Sequence, residues 1–188
     1  MPNYTKTEFA QQTKNWIEKV VIGLNFCPFA KREVLRNSIR YVVSDKTDLK
    51  QVLLELIEEL KHLDEQPSTE TTLLIYPTLF ANFEDYLDLV AMGQDFLRQL
   101  NYEGVYQLAT FHPEYLFADA AEDDPANYTN RSPYPMLHIL REASVEKAIA
   151  NHPDAEGIPQ RNITHARREG LTRMKRQRDD CMKADTNR

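Results

Sequence analysis

The side chains best suited to chemistry lie in one polar segment, NYTNRSPYPMLHILRE, which spans residues 127–142. Ser132 followed by Pro133 is typical of a helix start, because serine caps free backbone N–H groups and proline fits the first turn. We therefore predict a helix over residues 137–142. Side chains three and four positions apart share one face of a helix. Three polar side chains would share such a face here: His138, Arg141 and Glu142. Their types predict acid–base chemistry on a bound anion.

The loop before this predicted helix supplies the anion site. Asn130 and Arg131 would lie at the helix N-terminus, where unpaired backbone N–H groups and a guanidinium attract a carboxylate or phosphate. The predicted ligand-binding residues are Asn130, Arg131, Ser132 and Arg141. A structural interpretation stays open. In that interpretation Arg131, Arg141 and Glu142 form a network that holds the long loop, since buried loops must satisfy their backbone polar groups.

His112 follows a predicted strand directly, in the stretch ATFHPEY. In an open sheet of parallel strands, ligands bind beyond the carboxyl ends of the strands. A histidine at that edge can act as an acid or a base near neutral pH. A simple turn at His112 and Pro113 is the structural alternative.

Cys27 is the candidate nucleophile, and it lies at a predicted helix end in the stretch GLNFCPFAK. A neighbour such as His112 or Lys31 would have to favour its thiolate, which a helix C-terminus disfavours. The alternative is a buried cysteine that fills apolar space. The predicted catalytic residues are therefore His112, His138, Glu142 and Cys27.

The sequence identifies no cofactor. Its five glycines are well separated, whereas phosphate-binding and dinucleotide-binding loops need clustered glycines. It also lacks paired zinc-binding motifs and a serine nucleophile elbow. Haem ligation by the Cys27 thiolate is a weaker alternative, as is a metal site formed by His112, His138 and Glu142.

Hydrophobic patterns predict the elements that position these residues. Three short segments rich in apolar and β-branched residues alternate with helical patterns, which is typical of an α/β fold with helices packed on a sheet. We predict a small, three-stranded, mostly parallel central sheet, because right-handed crossovers make such strands parallel. An antiparallel third strand, in an α+β arrangement, is the alternative. The predicted strands are residues 39–44, 71–76 and 105–111, and the predicted helices begin near Thr5, Thr47 and Asn82.

Residues 112–135 form a long loop with no clear periodicity. Loops of this length in a compact domain are usually functional or disordered. Several aromatic side chains argue against disorder: Tyr115, Phe117, Tyr128 and Tyr134. We therefore expect an ordered loop that lies over the sheet.

The chain of 188 residues is long enough for one domain with a proper core, which we place at residues 1–178. Seven Lys or Arg and one Glu between residues 161 and 178 indicate a basic C-terminal helix at about 162–178. We expect residues 179–188 to be a frayed tail. The net charge is −6, so the rest of the chain is strongly acidic, which argues against nucleic-acid binding.

The apolar runs are all far shorter than the roughly 20 residues of a membrane span. The N-terminus does not have the pattern of a secretory signal. The two cysteines, Cys27 and Cys181, lie far apart and form no disulfide framework, which favours a reducing compartment. We therefore expect a cytoplasmic protein with no membrane partner.

Three motifs in this order resemble a bacterial family that is known as the domain of unknown function numbered 1415. The motifs are GLNFCPFAK (residues 23–31), YQLATFHPEYLF (residues 106–117) and NYTNRSPYPMLHILRE (residues 127–142). The resemblance covers the chain from about Trp16 to Cys181. It implies a soluble bacterial protein and brings no activity, substrate or cofactor.

Two kinds of function are consistent with these patterns. The first is a pocket for a small anionic metabolite, in an enzyme of the hydrolase or transferase type. The alternative is a non-catalytic interaction module whose basic C-terminal helix binds a partner or a second copy of the chain. Truncation after Pro159 would discriminate between them, because only the module would lose its partner while it keeps its fold.

Overall fold

The computed structural model describes residues 4–183 and has a mixed α/β fold, which confirms the predicted class. Four strands form its central sheet: β1 (Ile39–Val43), β2 (Thr71–Ile75), β3 (Tyr106–Phe111) and β4 (Met136–Arg141). They lie side by side in the order β1-β2-β4-β3. The first three strands agree with the sequence prediction to within one residue at each end.

Helices cover both faces of this sheet. α1 (Lys6–Trp16) begins at a Thr5 capping box and continues directly into a π-helix, Ile17–Ile22. A short 3-10 helix, Pro125–Thr129, lies in the long loop. The other helices are α2 (Ala30–Arg36), α3 (Leu49–Glu65), α4 (Phe83–Gln99), α5 (Glu142–Ala150), α6 (Ile158–Glu169) and α7 (Leu171–Asp180).

The sheet is mixed because β4 is antiparallel to both of its neighbours. β1 and β2 pair in parallel, whereas β4 pairs antiparallel with β2 and with β3. β3 therefore runs in the same direction as β1 and β2. These three strands run in the same direction, as predicted. The predictions of three strands and of a mostly parallel sheet are wrong, since β4 lies between β2 and β3 and pairs antiparallel with both.

β4 occupies residues for which the sequence predicts a helix, so the helix predicted over residues 137–142 is wrong. Leu137 and Ile139 pack into the core beneath α3 and α4, whereas His138 between them faces the other side of the sheet. This alternation is the two-residue period of a strand. Hydrogen bonds to strands on both sides outweigh the local helix-start signal.

Two hydrophobic cores lie on the two faces of the sheet. The core beneath α3 and α4 contains Leu56, Leu60, Leu74, Tyr86, Leu137 and Ile139. The core against α1, the π-helix, α6 and α7 contains Trp16, Val20, Leu73, Ile75, Met136 and Met174. Each strand contributes to both cores, because successive side chains point to opposite faces.

The basic C-terminal segment folds as two helices, rather than as the single helix predicted over residues 162–178. The break falls at Gly170, whose φ of 82° is a conformation that favours glycine. Arg167 on α6 pairs with Asp124 at 2.7 Å, so α6 is held against the long loop. Arg167 thus contacts the body of the chain itself.

The tail predicted to fray from residue 179 is ordered in its first part. α7 extends to Asp180, and the side chain of Cys181 is completely buried in the core against the π-helix. Residues 184–188 of the predicted tail lie outside the described residues. Within residues 4–183, no helix combines the length and the apolar character that crossing a membrane requires.

Candidate functional site

A cavity of about 300 Å³ lies over the sheet face that carries His138, near the amino-terminal ends of β1 and β2. Its floor is the sheet, and its walls are the end of α1, the π-helix, the segment around α2, and α5. Most of its lining is apolar: Trp16, Ile17, Val21, Phe29, Ala30, Ile39, Leu73, Ala109, Phe111, Leu140, Val145 and Ala148. The position differs from the carboxyl edge of the parallel strands where the sequence predicts a site.

The bulkiest side chain in this wall, that of Trp16, lies at the junction of α1 and the π-helix. Trp16 ends the α-helical part, and Ile17 and Val21 lie in the π-helical part. π-Helical turns are rare and often occur at functional sites, since they shift the side chains that follow. Gly23 ends this turn, where a Cβ atom would lie 2.2 Å from the carbonyl O of Lys19. The glycine therefore permits the close backbone approach that closes the turn.

His138 occupies the centre of the cavity floor. It is the cross-strand neighbour of Leu73 on β2 and of Ala109 on β3, and both of these residues also line the cavity. Its Nε2 lies 2.7 Å from the hydroxyl of Thr71. Its ring lies 6.1 Å from the ring of Phe111.

The surroundings of His138 keep its imidazole uncharged. Removal from water lowers the pKa of His138 to about 4, because an apolar environment disfavours the protonated ring. At neutral pH this residue is therefore a neutral hydrogen-bonding group rather than a cation. It can accept or donate one hydrogen bond on the cavity side, depending on its tautomer.

Cys27 lies between the π-helix and α2 and lines the same cavity. Burial raises the pKa of the Cys27 thiol, while the backbone N–H groups of Phe29 and Ala30 act in the opposite direction. The thiol is therefore protonated at neutral pH. Of the four predicted catalytic residues, the structure brings Cys27 and His138 to one cavity.

Charged side chains lie at the edges of the cavity. Arg32 and Glu33 on α2 form an ion pair with each other, and Glu70 precedes β2. Arg141 also contributes to the lining, but its guanidinium is engaged elsewhere. It donates hydrogen bonds to the carbonyl O atoms of Leu63 at 2.6 Å and Thr69 at 3.0 Å, so it fastens the end of α3.

His112 lies away from the cavity, on the sheet face that packs against α4. Its Nε2 donates to the carbonyl O of Phe80 at 2.8 Å, and its Nδ1 accepts from the backbone N–H of Glu114 at 3.0 Å. Burial lowers the pKa of His112. Both ring nitrogens are thus satisfied by backbone groups, which is the arrangement of a structural histidine.

The predicted anion-binding residues of the long loop also bind backbone groups. Arg131 is 8% exposed and donates to the carbonyl O atoms of Tyr115 at 3.0 Å and Glu122 at 3.1 Å. Asn130 donates to the carbonyl O of Thr110 at 3.2 Å. These side chains hold the loop against the sheet. Arg141 contacts the end of α3 instead, so the described residues do not contain the network of Arg131, Arg141 and Glu142 that is the structural interpretation of the sequence.

Ser132 and Glu142 lie outside the cavity as well. The Ser132 hydroxyl caps no helix and donates to the carbonyl O of Tyr134 at 2.6 Å. Glu142 begins α5, and among the described residues its carboxylate makes no hydrogen bond to His138 or Arg141. The strand conformation of β4 explains this, since His138 and Glu142 are not neighbours on a helix face.

No group of three or more His, Cys, Asp or Glu residues that could hold a metal ion lies within residues 4–183. The set His112, His138 and Glu142 does not converge, because His112 and His138 face opposite sides of the sheet. Thr71 lines the cavity and its hydroxyl contacts His138, which the sequence does not indicate. A threonine in an apolar strand carries no signal beyond β propensity.

Comparison with known proteins gives a family and no activity. Residues 8–176 match the family described as Protein of unknown function (DUF1415). The match includes all residues that line the cavity. No curated protein matches the chain, and no solved structure matches it.

Proposed function

We propose that this chain, which belongs to the family described as Protein of unknown function (DUF1415), binds a small and mainly apolar molecule in the cavity between His138 and α5. The observation that carries this proposal is the lining of the cavity, which is mostly apolar around the His138 imidazole and the Cys27 thiol, with the charged side chains at its edges. Pockets for small molecules typically combine apolar walls with a few polar groups that fix the orientation of the ligand.

Burial of apolar surface supplies the affinity in this proposal. Each Å² of apolar ligand surface that leaves water contributes roughly 25 cal/mol. Atoms of the cavity wall also gain van der Waals contacts with the ligand, which they lack when the cavity is empty. α5 contains no fully buried residue, so the cover of the cavity is held by few contacts and offers a route of entry.

The proposed ligand differs from the anionic metabolite that the sequence favours. Arg131, on which the anion site depends, binds backbone carbonyl groups away from the cavity. Inside the cavity, His138 is neutral and Cys27 is protonated at neutral pH. The guanidinium groups at the cavity edges are already engaged, Arg32 with Glu33 and Arg141 with backbone carbonyl groups. An anion in the apolar interior would therefore lose its hydration without an unpaired cation to replace it, which is costly. An uncharged molecule avoids this cost.

Cys27 and His138 are the catalytic candidates that this proposal retains. Both line the cavity, whereas His112 and Glu142 do not. If the bound molecule is also a substrate for hydrolysis or group transfer, these two groups are the ones that reach it. A catalytic role for either residue requires that a molecule first binds in the cavity.

We expect the substitution Ala148→Phe to weaken binding of apolar probes by about tenfold or more. Ala148 lines the cavity from α5, and a phenyl ring there would occupy the space that the ligand needs. Trp16 is the only tryptophan of the chain and lines the same cavity, so its fluorescence reports occupancy. The measurement is a fluorescence titration with a panel of uncharged aromatic alcohols and hydrocarbons.

Ala143→Phe is the matched control, because Ala143 lies on the same helix but is exposed and does not line the cavity. It should bind the probes like the unsubstituted chain. The proposal is overturned if no probe changes the Trp16 fluorescence. Equal binding by Ala148→Phe and Ala143→Phe would show that the probes bind elsewhere.

A further inference from the structure

We propose that Thr71 fixes the tautomer of His138, so that the cavity selects neutral ligands with a hydrogen-bond donor, such as a hydroxyl, a phenol or an amide N–H. This inference rests on the proposed function, since it assigns a chemical class to the ligand of the same cavity. Thr71 acts through His138 and is therefore a positioning residue.

The hydroxyl of Thr71 lies between two groups that compete for its one proton. It is 2.5 Å from the carbonyl O of Ile139 and 2.7 Å from Nε2 of His138. A carbonyl oxygen can only accept, so two oxygen atoms this close require the hydroxyl proton between them. The Thr71 hydroxyl therefore donates its proton to the carbonyl O of Ile139, and it can only accept a hydrogen bond from Nε2 of His138.

His138 must then carry its proton on Nε2. A neutral imidazole has one N–H group and one bare nitrogen, so the bare nitrogen is Nδ1. Nδ1 has no hydrogen-bond partner among residues 4–183, and it is not one of the fully buried unpaired atoms of that part of the chain. Since His138 lines the cavity, the lone pair of Nδ1 is available to a molecule inside it.

A lone pair in apolar surroundings discriminates between ligand classes. A hydroxyl or amide N–H donates a hydrogen bond to Nδ1. An ether oxygen or a carboxylate has only lone pairs to place against the lone pair of Nδ1, so it forms no hydrogen bond there. The nearest cross-strand neighbours, Leu73 and Ala109, offer no side-chain donor to either. A ligand that only accepts hydrogen bonds therefore gains the apolar contacts but leaves Nδ1 unpaired.

Three probes of similar size separate these classes: para-ethylphenol, para-ethylanisole and para-ethylbenzoate. We expect the phenol to bind about tenfold tighter than the anisole, the effect of one hydrogen bond in an apolar site. The benzoate should bind more weakly than the phenol. In His138→Phe the phenol should lose its preference over the anisole. The measurement is the Trp16 fluorescence titration on the full chain.

Thr71→Val and Thr71→Ser test the role of the hydroxyl. Serine keeps the hydroxyl and should keep the preference for the phenol. Valine removes it, which frees His138 to carry its proton on either nitrogen, so the preference should fall severalfold. Nitrogen NMR of the imidazole gives a second readout: Nδ1 should have a pyridine-type shift in the unsubstituted chain and in Thr71→Ser, and a mixed one in Thr71→Val.

The outcomes of these experiments separate the inference from the proposed function. Equal binding of phenol and anisole in the cavity would overturn the inference and leave the proposed function intact. A pyrrole-type shift at Nδ1 of the unsubstituted chain would also overturn it, with no ligand and no variant needed. If no probe binds, the proposed function fails, and the nitrogen shift still decides whether Thr71 sets the tautomer.

Discussion

Replacing Arg131 with alanine is expected to lower the free energy of unfolding by about 3 kcal/mol or more and to leave probe binding unchanged. The guanidinium is buried and donates to two backbone carbonyl groups, those of Tyr115 and Glu122. It also lies 5.0 Å from the centre of the Tyr128 ring, which adds a cation–π contact. The substitution would leave both carbonyl groups without this partner. Urea denaturation of the variant and of the unsubstituted chain measures the difference.

Arg176→Ala serves as the control for this substitution, because Arg176 lies exposed on α7. Its removal should change the free energy of unfolding by less than about 0.5 kcal/mol. An Arg131→Ala variant of normal stability that fails to bind probes would contradict the structural role.

Lowering the pH from about 6.5 to about 4 is expected to destabilise the fold, with up to about 3 kcal/mol of the loss due to His138. The folded state lowers the pKa of His138 to about 4, whereas the unfolded chain binds a proton near the usual value of 6.5. Between these pH values the unfolded state binds more protons, so stability falls as the pH falls. His112 contributes in the same direction, since burial lowers its pKa as well.

The substitution His138→Gln isolates this effect, because glutamine does not titrate and is similar in size. The difference in unfolding free energy between the two proteins should change by up to about 3 kcal/mol from neutral pH to about pH 4. Carboxylates that titrate in both proteins cancel in this difference. Parallel stability curves for the two proteins would contradict a neutral His138 in the folded state.

Much of the fold follows from periodicity that is visible in the sequence. The helical spacing of leucines in α3 and the apolar runs of β1 and β2 each fit one type of secondary structure, and the structure has that type. The sequence of β4 is ambiguous: Leu137 and Leu140 have helical spacing, whereas Leu137 and Ile139 have the alternate spacing of a strand. The pairing of β4 with strands far away in the chain decides between them, and local sequence does not contain that information.

The candidate site was predictable by residue type rather than by position. Cys27 and His138 are identifiable from the sequence as candidate catalytic side chains in unusual motifs, and both line the cavity. Their convergence depends on β4 being a strand, since that conformation turns His138 away from α3 and α4. His112 has an equally suggestive position after β3, yet backbone groups occupy both of its nitrogens. Such occupancy is a tertiary property that no spacing rule reveals.

The apolar walls were harder to anticipate than the polar groups. Trp16 and Ala109 carry no mark that separates a cavity-lining residue from a core residue. Thr71 is buried in a strand where most neighbours are apolar, and the role proposed for it depends on the carbonyl of Ile139 and the ring of His138. These contacts join residues that are 67 and 68 positions apart.

Entry of a small apolar molecule between His138 and α5 is tested most directly by methyl NMR spectra of the full chain during titration with para-ethylphenol. The methyl resonances of Ile39, Leu73 and Val145, which line the cavity, should shift together and saturate. Those of Leu56 and Leu89, in the core beneath α3 and α4, should stay in place. Unmoved resonances for the cavity residues at saturating probe, or shifts centred on Leu56 and Leu89, would contradict a binding site at this position.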